Sequence, residues 1–527
     1  MQMMGKKRMR KNRNKKISFI LNILGKVMLL FTLFLLLLAE SSGRWFLASF
    51  GEMDFSIVVY QLFSPMEGTS QGILNEYAMA CLYPSISSAI LLFLLYVFWD
   101  YTTRRLCIDF HLRLFRKKWN LHISHKMGQT IKYVCMSGFI FFLLVSLGSK
   151  AIKMGVPAYL AEVSQDSTLF EDYYVSPETV HIEFPESKRN LLLIYVESME
   201  STYASTEEGG AKEINYIPEL TKLANENLNF SDNEKLGGAH NYAGGWTIAG
   251  LLASSSGVPY KLPIEGNSSG EYETFLPGLI TLGEILEEEG YTNYFMCGSD
   301  ATFGGRRAFY DQHGDYVILD YDKAIENEII PSDYLEYWGM EDEKLYAFAK
   351  QQLSEIARNE NPFNFSMLTV DTHHPEGYAC QLCQNQHGSQ FANAISCASR
   401  QVYDFVMWCQ EQEWYENTTI VITGDHLSMN NTFWDDIGDY ERNVYNCFIN
   451  IPRDLSPVRP KNREFSAIDL FPTILASLDV KIEDDYLGLG VNLFSDKMTL
   501  PEMIGKEKFE KELKLFSKYY FSQFVIA

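Results

Sequence analysis

The chain has 527 residues, 46% of them hydrophobic, and a formal net charge of −22. This length exceeds that of one small domain, and the apolar content is enough for a full core. Residues 1–153 hold 20 basic and 7 acidic side chains, whereas the remainder holds 25 and 60. The remainder therefore has a charge near −35. Such a charge argues against nucleic acid as a partner and implies that a phosphate-bearing substrate needs a local cation.

Three apolar stretches occupy residues 17–39, 77–99 and 131–152. Each is long enough to cross the roughly 30 Å hydrocarbon core as a helix. The alternative for the first stretch is a cleavable signal peptide. It fits poorly, because the stretch is long, has no clear small-x-small cleavage site and precedes two further spans. We therefore predict that residues 1–152 form a membrane anchor of about three transmembrane helices.

The charges of the connecting loops predict the orientation of this anchor. Eight of the first sixteen residues are Lys or Arg, and residues 101–130 contain seven more. The intervening loop, residues 41–76, has one basic and four acidic residues. Because basic loops stay on the cytoplasmic side, we expect a multi-pass protein of the inner (cytoplasmic) membrane. Everything after the third span then faces the periplasm or the outside.

Strand-like and helical patterns alternate after the anchor, which is typical of an α/β sheet flanked by helices. We predict a linker over residues 153–186, an extracytoplasmic catalytic domain over 187–500 and a C-terminal tail over 501–527. The tail is expected to dock on the domain as a helix and a strand, with the membrane surface as the alternative. The predicted strands are Asn190–Val196, Thr292–Cys297, Phe365–Val370, Thr418–Thr423 and Asn446–Ile451.

Four distant residues stand where a predicted strand ends or a predicted helix begins. Glu197 follows the run Leu191-Leu-Leu-Ile-Tyr-Val, Asp425 and His426 follow Thr419-Ile-Val-Ile-Thr-Gly, and Thr247 lies in Gly244-Gly-Trp-Thr-Ile-Ala-Gly. Strand carboxyl ends face one crevice in an open α/β sheet, so these residues can converge there. Two carboxylates, an imidazole and a hydroxyl form a site for a divalent cation with a built-in nucleophile. This set predicts an enzyme.

Each member of the set also has a structural interpretation. Asp425 and His426 can form an ordinary ion pair, although a second buried carboxylate, Glu197, would then lack a cation to offset its desolvation. Thr247 can cap its helix. The surrounding glycines favour a ligand instead, since they let backbone approach closely and a helix N-terminus attracts a phosphoryl group. A hydroxyl bound to a divalent ion also loses its proton more easily.

Further residues are predicted to contact the substrate. His373 and His374 lie just past a predicted strand and precede a proline, a pattern that is uncommon in a core. Asp300 lies in the run Gly298-Ser-Asp-Ala-Thr-Phe-Gly-Gly, which ends at Arg306. A glycine-rich run followed by arginine suits a phosphate or glycerol contact. A solvated arginine pair is the alternative for Arg306 and its neighbour.

Three of the nine cysteines cluster in one outer segment, at Cys380, Cys383 and Cys397. A C-x-x-C pair can be half of a zinc site, but no second pair follows. In an oxidising compartment a disulfide within the cluster is the favoured interpretation. The sequence leaves the pairing open.

Four blocks in order resemble the phosphoglycerol transferase I family, which decorates periplasmic glucans. They are Val196-Glu-Ser-Met-Glu-Ser-Thr-Tyr, Trp246-Thr-Ile-Ala-Gly-Leu-Leu-Ala-Ser, Leu368-Thr-Val-Asp-Thr-His-His-Pro and Asp425-His-Leu-Ser-Met-Asn-Asn-Thr. That family is similar to lipoteichoic acid synthases and phosphoethanolamine transferases of the alkaline-phosphatase/sulfatase superfamily. A fifth block, Phe465-Ser-Ala-Ile-Asp-Leu-Phe-Pro, also resembles a superfamily segment. The resemblance covers roughly residues 187–480 and implies a sulfatase-like central sheet.

The resemblance implies a role for each candidate. Thr247 matches the threonine nucleophile, and Glu197, Asp425 and His426 match ligands of a divalent metal, usually Mn²⁺, with Mg²⁺ or Zn²⁺ as alternatives. His373 matches a substrate-side histidine and Arg306 a phosphoglycerol-binding arginine. The implied donor is phosphatidylglycerol and the implied acceptor a glycan. Phosphoethanolamine transfer, lipoteichoic acid polymerisation and a catalytically inert sensor or scaffold of the same fold are the alternatives.

Overall fold

The computed structural model describes residues 2–50, 55–63, 71–114, 117–242, 244–261, 274–430 and 432–526. The chain divides into two compact units. The first comprises residues 1–53 and 71–157, and the second comprises residues 54–70 and 158–527. The first unit contains the three predicted spans, whereas residues 54–70, which the prediction places within the anchor, belong to the second unit.

Three helices of the described residues are long and apolar enough to cross a membrane: Lys16–Ser49, Gly72–Arg105 and His125–Lys153. A two-stranded antiparallel sheet, Ile108–Leu114 with Lys117–Ile123, connects the second and third. Asp100 of the second helix is buried and accepts a hydrogen bond from Nζ of Lys132 on the third at 2.5 Å. Lys150 of the third helix likewise pairs with Glu40 of the first at 2.9 Å. Charged groups inside such a bundle are tolerated because they pair with each other.

The second unit contains a seven-stranded mixed sheet. We number its strands β1 (Asn190–Val196), β2 (Gly238–Ala239), β3 (Thr292–Cys297), β4 (Val317–Leu319), β5 (Phe363–Leu368), β6 (Thr418–Gly424) and β7 (Val444–Ile449). Their order across the sheet is β2-β7-β6-β1-β5-β3-β4. Strands β6, β1, β5, β3 and β4 are parallel, whereas β7 and β2 run antiparallel at one edge.

Helices cover both faces of this sheet. They are α1 (Pro218–Glu226), α2 (Thr247–Ser256), α3 (Leu282–Glu288), α4 (Arg306–Gln312), α5 (Tyr321–Glu326), α6 (Asp342–Ile356), α7 (Gln390–Gln410) and α8 (Ala467–Ala476). Side chains alternate along β1: Leu191 and Leu193 join the core under α2 and α8, while Leu192 and Ile194 join the core under α1, α6 and α7. Because β1 is buried on both faces, its sequence is a continuous apolar run rather than an alternating one. The predicted architecture, an α/β sheet flanked by helices, is confirmed.

Several predicted boundaries differ from the structure. Strands β5 and β7 begin and end two residues before the predicted positions, because their apolar runs continue into the following loops. Shorter helices and strands of the unit are Phe55–Phe63, Leu169–Tyr173, Ile182–Glu183, Lys481–Ile482, Tyr486–Leu487 and Gly490–Val491. A helix at Val156–Glu162 spans the division between the units, in the segment predicted as a linker.

The described part of the C-terminal tail is mostly helical, with breaks at Gly505 and at residues 515–517, where Phe516 forms a parallel β-bridge with Asp166. It forms helices Leu500–Ile504, Lys506–Lys514 and Lys518–Tyr520 and a π-helical turn, Phe521–Val525. The predicted terminal strand is wrong. Tyr520 and Phe524 lie on one side of the helical turn and stack their edges on Phe170, so burial favours a helical spacing over an extended one. Docking of the tail on the unit agrees with the prediction.

Candidate active site

The candidate site begins at the carboxyl ends of two adjacent strands. Strands β1 and β6 are parallel neighbours in which Val196 pairs with Gly424. The next residue of each strand is therefore Glu197 or Asp425, and both side chains are buried. The register of the two strands brings these carboxylates together, although Glu197 and Asp425 are 228 positions apart in the sequence.

His426 completes the cluster. Its Nε2 atom lies 3.5 Å from Oε1 of Glu197 and 3.4 Å from Oδ2 of Asp425. The other ring nitrogen, Nδ1, is 2.7 Å from the carbonyl oxygen of Leu427. A carbonyl only accepts, so Nδ1 carries a proton, and in the neutral ring Nε2 directs a lone pair into the cluster. That tautomer is the one a metal-binding histidine needs.

The pKa shifts of Asp425 and His426 show that the negative charge of the cluster is not fully balanced by the residues present. Burial, reinforced by the nearby Glu197, raises the pKa of Asp425 to about 7. For His426 burial acts to lower the pKa, but the carboxylates of Asp425 and Glu197 outweigh it and leave the pKa raised. Two carboxylates held this close in a buried site destabilise each other unless a cation shares them.

Thr247 is the first residue of α2, and the residue that caps the helix is Trp246. The interpretation of Thr247 as the helix cap is therefore wrong. Its Oγ1 atom instead lies 3.4 Å from Nε2 of His426. The side chain is partly exposed, whereas the three cluster residues beside it are buried. The hydroxyl thus stands between the buried cluster and solvent.

Gly250 explains how α2 reaches this position. A Cβ atom on Gly250 would lie 1.8 Å from the carbonyl oxygen of Asp425, so only glycine lets the helix pack on the end of β6. The sequence pattern predicts that this glycine lets a ligand approach the backbone. The structure shows that it serves the contact between helix and strand, which in turn fixes Thr247 next to His426.

Ser198 is a site residue that sequence analysis missed. Its hydroxyl donates to Oε1 of Glu197 at 2.7 Å, and its backbone N–H donates to Oδ1 of Asp425 at 2.8 Å. The backbone φ of Ser198 is +52°, which is uncommon for a residue other than glycine. The only signal in the sequence was its place directly after Glu197.

The residues present fit a divalent cation. Oδ2 of Asp425 is buried and accepts no hydrogen bond from any residue that the structure describes, although His426 lies nearby. Ligand atoms from Glu197, Asp425 and His426 all lie within 4.8 Å of one another. Carboxylate oxygens with one imidazole nitrogen are the donor set of Mn²⁺, Mg²⁺ or Zn²⁺ sites.

His373 lies on the loop that follows β5, near the cluster. Burial is the main cause that lowers the pKa of His373 to about 4, and the charge on His426 lowers it further. Its Nδ1 atom is 2.8 Å from the carbonyl oxygen of His374, so Nδ1 carries the proton and Nε2 is an acceptor. His374 is buried, and burial likewise lowers its pKa.

Two aromatic residues hold this loop and were not predicted. The hydroxyl of Tyr337 donates to the carbonyl oxygen of His373 at 2.6 Å. The ring of Trp338 lies 4.8 Å from the imidazole of His373, measured between centroids. Tyr337 and Trp338 lie 36 and 35 positions before His373 in the sequence, so no local sequence pattern links them to the histidine.

Arg306 is buried at the start of α4, and its side chain is held by the run that precedes it. Nη2 donates to Oγ of Ser299 at 3.0 Å and to the carbonyl of Asp300 at 2.8 Å. Nε donates to the carbonyl of Phe303 at 2.9 Å. Nη1 has no hydrogen-bond partner among the described residues. The positive charge of Arg306 contributes to the lowered pKa of His373, which places the guanidinium in the same neighbourhood.

The neighbours of Arg306 have other tasks. The carboxylate of Asp300 accepts from the backbone N–H of Thr302 at 2.8 Å and so shapes the turn that holds Arg306. Nη2 of Arg307 pairs with Oδ2 of Asp320 at 2.5 Å. The solvated-pair alternative is therefore wrong for Arg306, which is buried, whereas the side chain of Arg307 is 37% exposed. Contact of Asp300 with a substrate stays a prediction.

Comparison with known proteins identifies relatives. The protein-family model described as Sulfatase matches residues 189–480. Phosphoglycerol transferase I of Escherichia coli O127:H6 and of Shigella flexneri are each 33% identical over 368 residues, which is 66% of this chain and 46% of the relative. The chain thus spans about half the length of the curated relatives it matches.

The chain is also similar to solved structures. Lipooligosaccharide phosphoethanolamine transferase A from Neisseria meningitidis is 13% identical, with a TM-score of 0.49 over 85% of this chain and 83% of that one. Lipoteichoic acid synthase LtaP from Listeria monocytogenes is 18% identical, with a TM-score of 0.45 over 60% and 79%.

Proposed function

The chain belongs to the sulfatase family, and from that premise we propose that it is a membrane-anchored phosphoglycerol transferase. It moves sn-glycerol 1-phosphate from phosphatidylglycerol to an extracytoplasmic glycan. The observation that carries this proposal is the position of the Thr247 hydroxyl, 3.4 Å from Nε2 of His426 at the edge of a buried two-carboxylate cluster. The 33% identity to phosphoglycerol transferase I supports the choice of group transferred.

The reaction proceeds in two balanced displacements. Oγ1 of Thr247 forms a bond to phosphorus, the bond from phosphorus to the diacylglycerol oxygen breaks, and diacylglycerol leaves with the proton. An acceptor hydroxyl then attacks the phosphoglyceryl-threonine, and Thr247 regains its proton as the phosphoglyceryl group departs. A covalent intermediate divides one difficult transfer into two easier ones.

Groups of the chain itself favour this chemistry. In α2, the first intrahelical hydrogen bond runs from the N–H of Gly250 to the carbonyl oxygen of Trp246, at 3.0 Å. The earlier N–H groups of the helix have no intrahelical acceptor and form a positive end that suits phosphoryl oxygens. His373 stays neutral at pH 7 and offers Nε2 to a substrate hydroxyl, while Nη1 of Arg306 is available for a phosphate oxygen.

The proposed metal is a divalent cation, with Mn²⁺ preferred and Mg²⁺ or Zn²⁺ as alternatives. Glu197, Asp425 and His426 would hold it together with Oγ1 of Thr247. When bound, it lowers the pKa of the hydroxyl and stabilises charge that develops on the phosphoryl group. Ser198 orients two of the three ligands through its hydroxyl and its backbone N–H.

We place the catalytic unit on the outer face of the inner membrane, where the anchor keeps it beside a lipid donor. Basic residues cluster before the first span and between the second and third spans. A phosphatase reporter fused after residue 527 is expected to be active, and a cytoplasmic β-galactosidase reporter at the same point inactive. The opposite pattern would contradict both the orientation and the choice of donor.

The function is tested with full-length protein in vesicles that contain labelled phosphatidylglycerol or labelled phosphatidylethanolamine, with a glucan as acceptor. We expect diacylglycerol from the first lipid only, and labelled glycan as the second product. Release from phosphatidylethanolamine would favour the phosphoethanolamine alternative, and a polymer of glycerol phosphate would favour polymerisation. Ser256→Ala is the control for Thr247→Ala, because it removes a hydroxyl from the far end of the same helix.

A further inference from the structure

A second cluster of metal-binding side chains lies in the catalytic unit. The sulfur atoms of Cys380 and Cys383 are 3.7 Å apart, and those of Cys380 and Cys397 are 3.8 Å apart. All three sulfurs lie within 4.8 Å of one another. A disulfide requires a separation of about 2.05 Å. Three thiolates around a tetrahedral zinc, with Zn–S bonds of about 2.3 Å, lie about 3.8 Å apart, which agrees with the separations of Cys380 from Cys383 and from Cys397.

The chain builds this cluster from two elements. Cys380 and Cys383 belong to the loop between β5 and α7, and the N–H of Cys383 donates to the carbonyl of Cys380 at 3.1 Å to form a tight turn. Cys397 projects from α7. Cys380 and Cys397 are buried, whereas Cys383 is partly exposed. The cluster is therefore closed on the protein side and open to solvent at one edge, which leaves room for a fourth ligand.

Two neighbouring side chains direct donors at the sulfurs. Nε2 of Gln401 lies 3.5 Å from Sγ of Cys397 and 3.8 Å from Sγ of Cys380. Nη2 of Arg400 lies 3.5 Å from Sγ of Cys397 and also donates to the carbonyl of Leu382 at 2.7 Å. Donors around sulfur stabilise thiolate and are typical of the surroundings of a metal-thiolate site. Three thiolates and one Zn²⁺ have a net charge of −1, which Arg400 balances.

We propose that Cys380, Cys383 and Cys397 bind a thiophilic divalent cation, Zn²⁺, at a site separate from the cluster of Glu197, Asp425 and His426. Each thiol releases its proton to solvent, and water fills the fourth position at the open edge. The site joins the loop that carries His373 to α7 and so holds that loop in place. This proposal does not depend on the proposed transfer reaction.

The favoured sequence interpretation, a disulfide within the cluster, gives a different outcome in the same experiment. All three cysteines are unpaired in the structure. A disulfide would join two of them and leave one thiol. Blocking free thiols at cell lysis and then digesting the full-length protein without reductant counts them directly. If the cluster binds zinc, all three cluster cysteines should be modified after denaturation. Modification of only one of the three, together with a peptide that contains a disulfide between the other two, would overturn the proposal.

Metal content gives a second readout. In the Glu197→Gln background, which disables the carboxylate site, the full-length protein is expected to retain about one zinc ion per chain. Adding Cys380→Ser should remove it, whereas Cys409→Ser, a buried cysteine of the same helix as Cys397, should not. Cys383→Ser replaces Cys380→Ser if the latter does not fold, because its side chain is partly exposed. Unchanged zinc in the folded serine variants would overturn the proposal.

Cobalt substitution reports on the ligands themselves. Co²⁺ bound by thiolates gives a charge-transfer absorption in the near ultraviolet that carboxylates do not produce. The absorption is expected in the wild type and in Glu197→Gln and to be lost in Cys383→Ser. Its absence from a cobalt-loaded wild type would contradict thiolate ligation. Because this signal does not involve turnover, its loss is distinguishable from failure of the transfer reaction.

Discussion

Oγ1 of Thr247 lies 3.4 Å from Nε2 of His426, although the two residues are 179 positions apart in the sequence. The first begins a helix and the second follows a strand. Gly250 makes the relationship possible, because α2 packs on the carbonyl of Asp425 at a distance that no Cβ atom would allow. The geometry of the proposed nucleophile therefore depends on a backbone contact one turn farther along its own helix.

Gly250→Ala is expected to displace α2 and to reduce transfer by about 100-fold, because a shift of about 1 Å near reacting groups has such an effect. Overpacking should also destabilise the unit by about 1–3 kcal/mol. Gly245→Ala is the matched control, since among the residues that the structure describes its added carbon would meet only Cδ1 of Ile57, at 3.7 Å. Thermal unfolding and diacylglycerol release measure both effects. Equal loss in the two variants would assign the glycines to ligand approach instead.

Replacing a metal ligand should separate metal binding from folding. Glu197→Gln and Asp425→Asn are each expected to lose the metal from the carboxylate site and to reduce turnover by more than about 100-fold. Even residues that only hydrogen-bond to metal ligands change metal affinity or activity by about 10–100-fold when they are replaced. The Asp425→Asn side chain would keep an oxygen for the N–H groups of Ser198 and His426, and the large core already suffices for folding. Metal analysis and chemical denaturation test these expectations.

The control for these variants is Glu464→Gln, because Glu464 also pairs with a histidine, His240, at 2.6 Å but lies outside the cluster. It should retain metal and activity. Full activity in Glu197→Gln or in Asp425→Asn would remove that residue from the metal site.

Lys261 gives a test by pH. Its Nζ donates to the carbonyls of Leu513 and Leu515 in the docked tail, and burial lowers its pKa from 10.5 to about 7. Between those pH values the unfolded chain binds more protons than the folded one, so the free energy of unfolding rises with pH. From pH 7 to pH 9, the free energy of unfolding of the wild type should increase by about 1 kcal/mol more than that of Lys261→Met. This value is smaller than the pKa shift alone would give, because Lys261 is partly exposed and solvent screens its charge.

The measurement is the urea midpoint of both proteins at pH 7 and pH 9. Lys261→Met has a stem of similar length and no charge, so its midpoint should lack this component of the pH dependence. Parallel changes in the two proteins would show that the ammonium group of Lys261 is not desolvated in the folded state.

Much of the site could be predicted because strand ends determine it. The apolar runs that end at Val196 and Gly424 identify β1 and β6, and the parallel register of these strands then places Glu197 beside Asp425. Residue types alone indicated a cation site. The sequence also predicted the three apolar spans, because an uninterrupted apolar run of that length has few other interpretations.

Other features depend on contacts that have no periodic signal. Ser198 has a positive φ and donates hydrogen bonds to Glu197 and Asp425, and nothing in the pattern of neighbouring residues indicates that conformation. For the tail, the sequence predicts a helix followed by a strand. Packing of Tyr520 and Phe524 on Phe170 favours a helical turn instead, which local propensity did not reveal.

Thr247 is central to the proposed chemistry as the residue that forms a covalent phosphoglyceryl intermediate. The most direct test incubates full-length protein with phosphatidylglycerol and no acceptor, quenches it with acid and determines the mass of the peptide that contains Thr247. We predict a phosphoglyceryl adduct on Thr247 that disappears when glucan is added, a smaller amount on the Thr247→Ser protein and none on Thr247→Ala. A folded Thr247→Ala protein that releases diacylglycerol at the wild-type rate would contradict the covalent intermediate and favour direct attack by the acceptor.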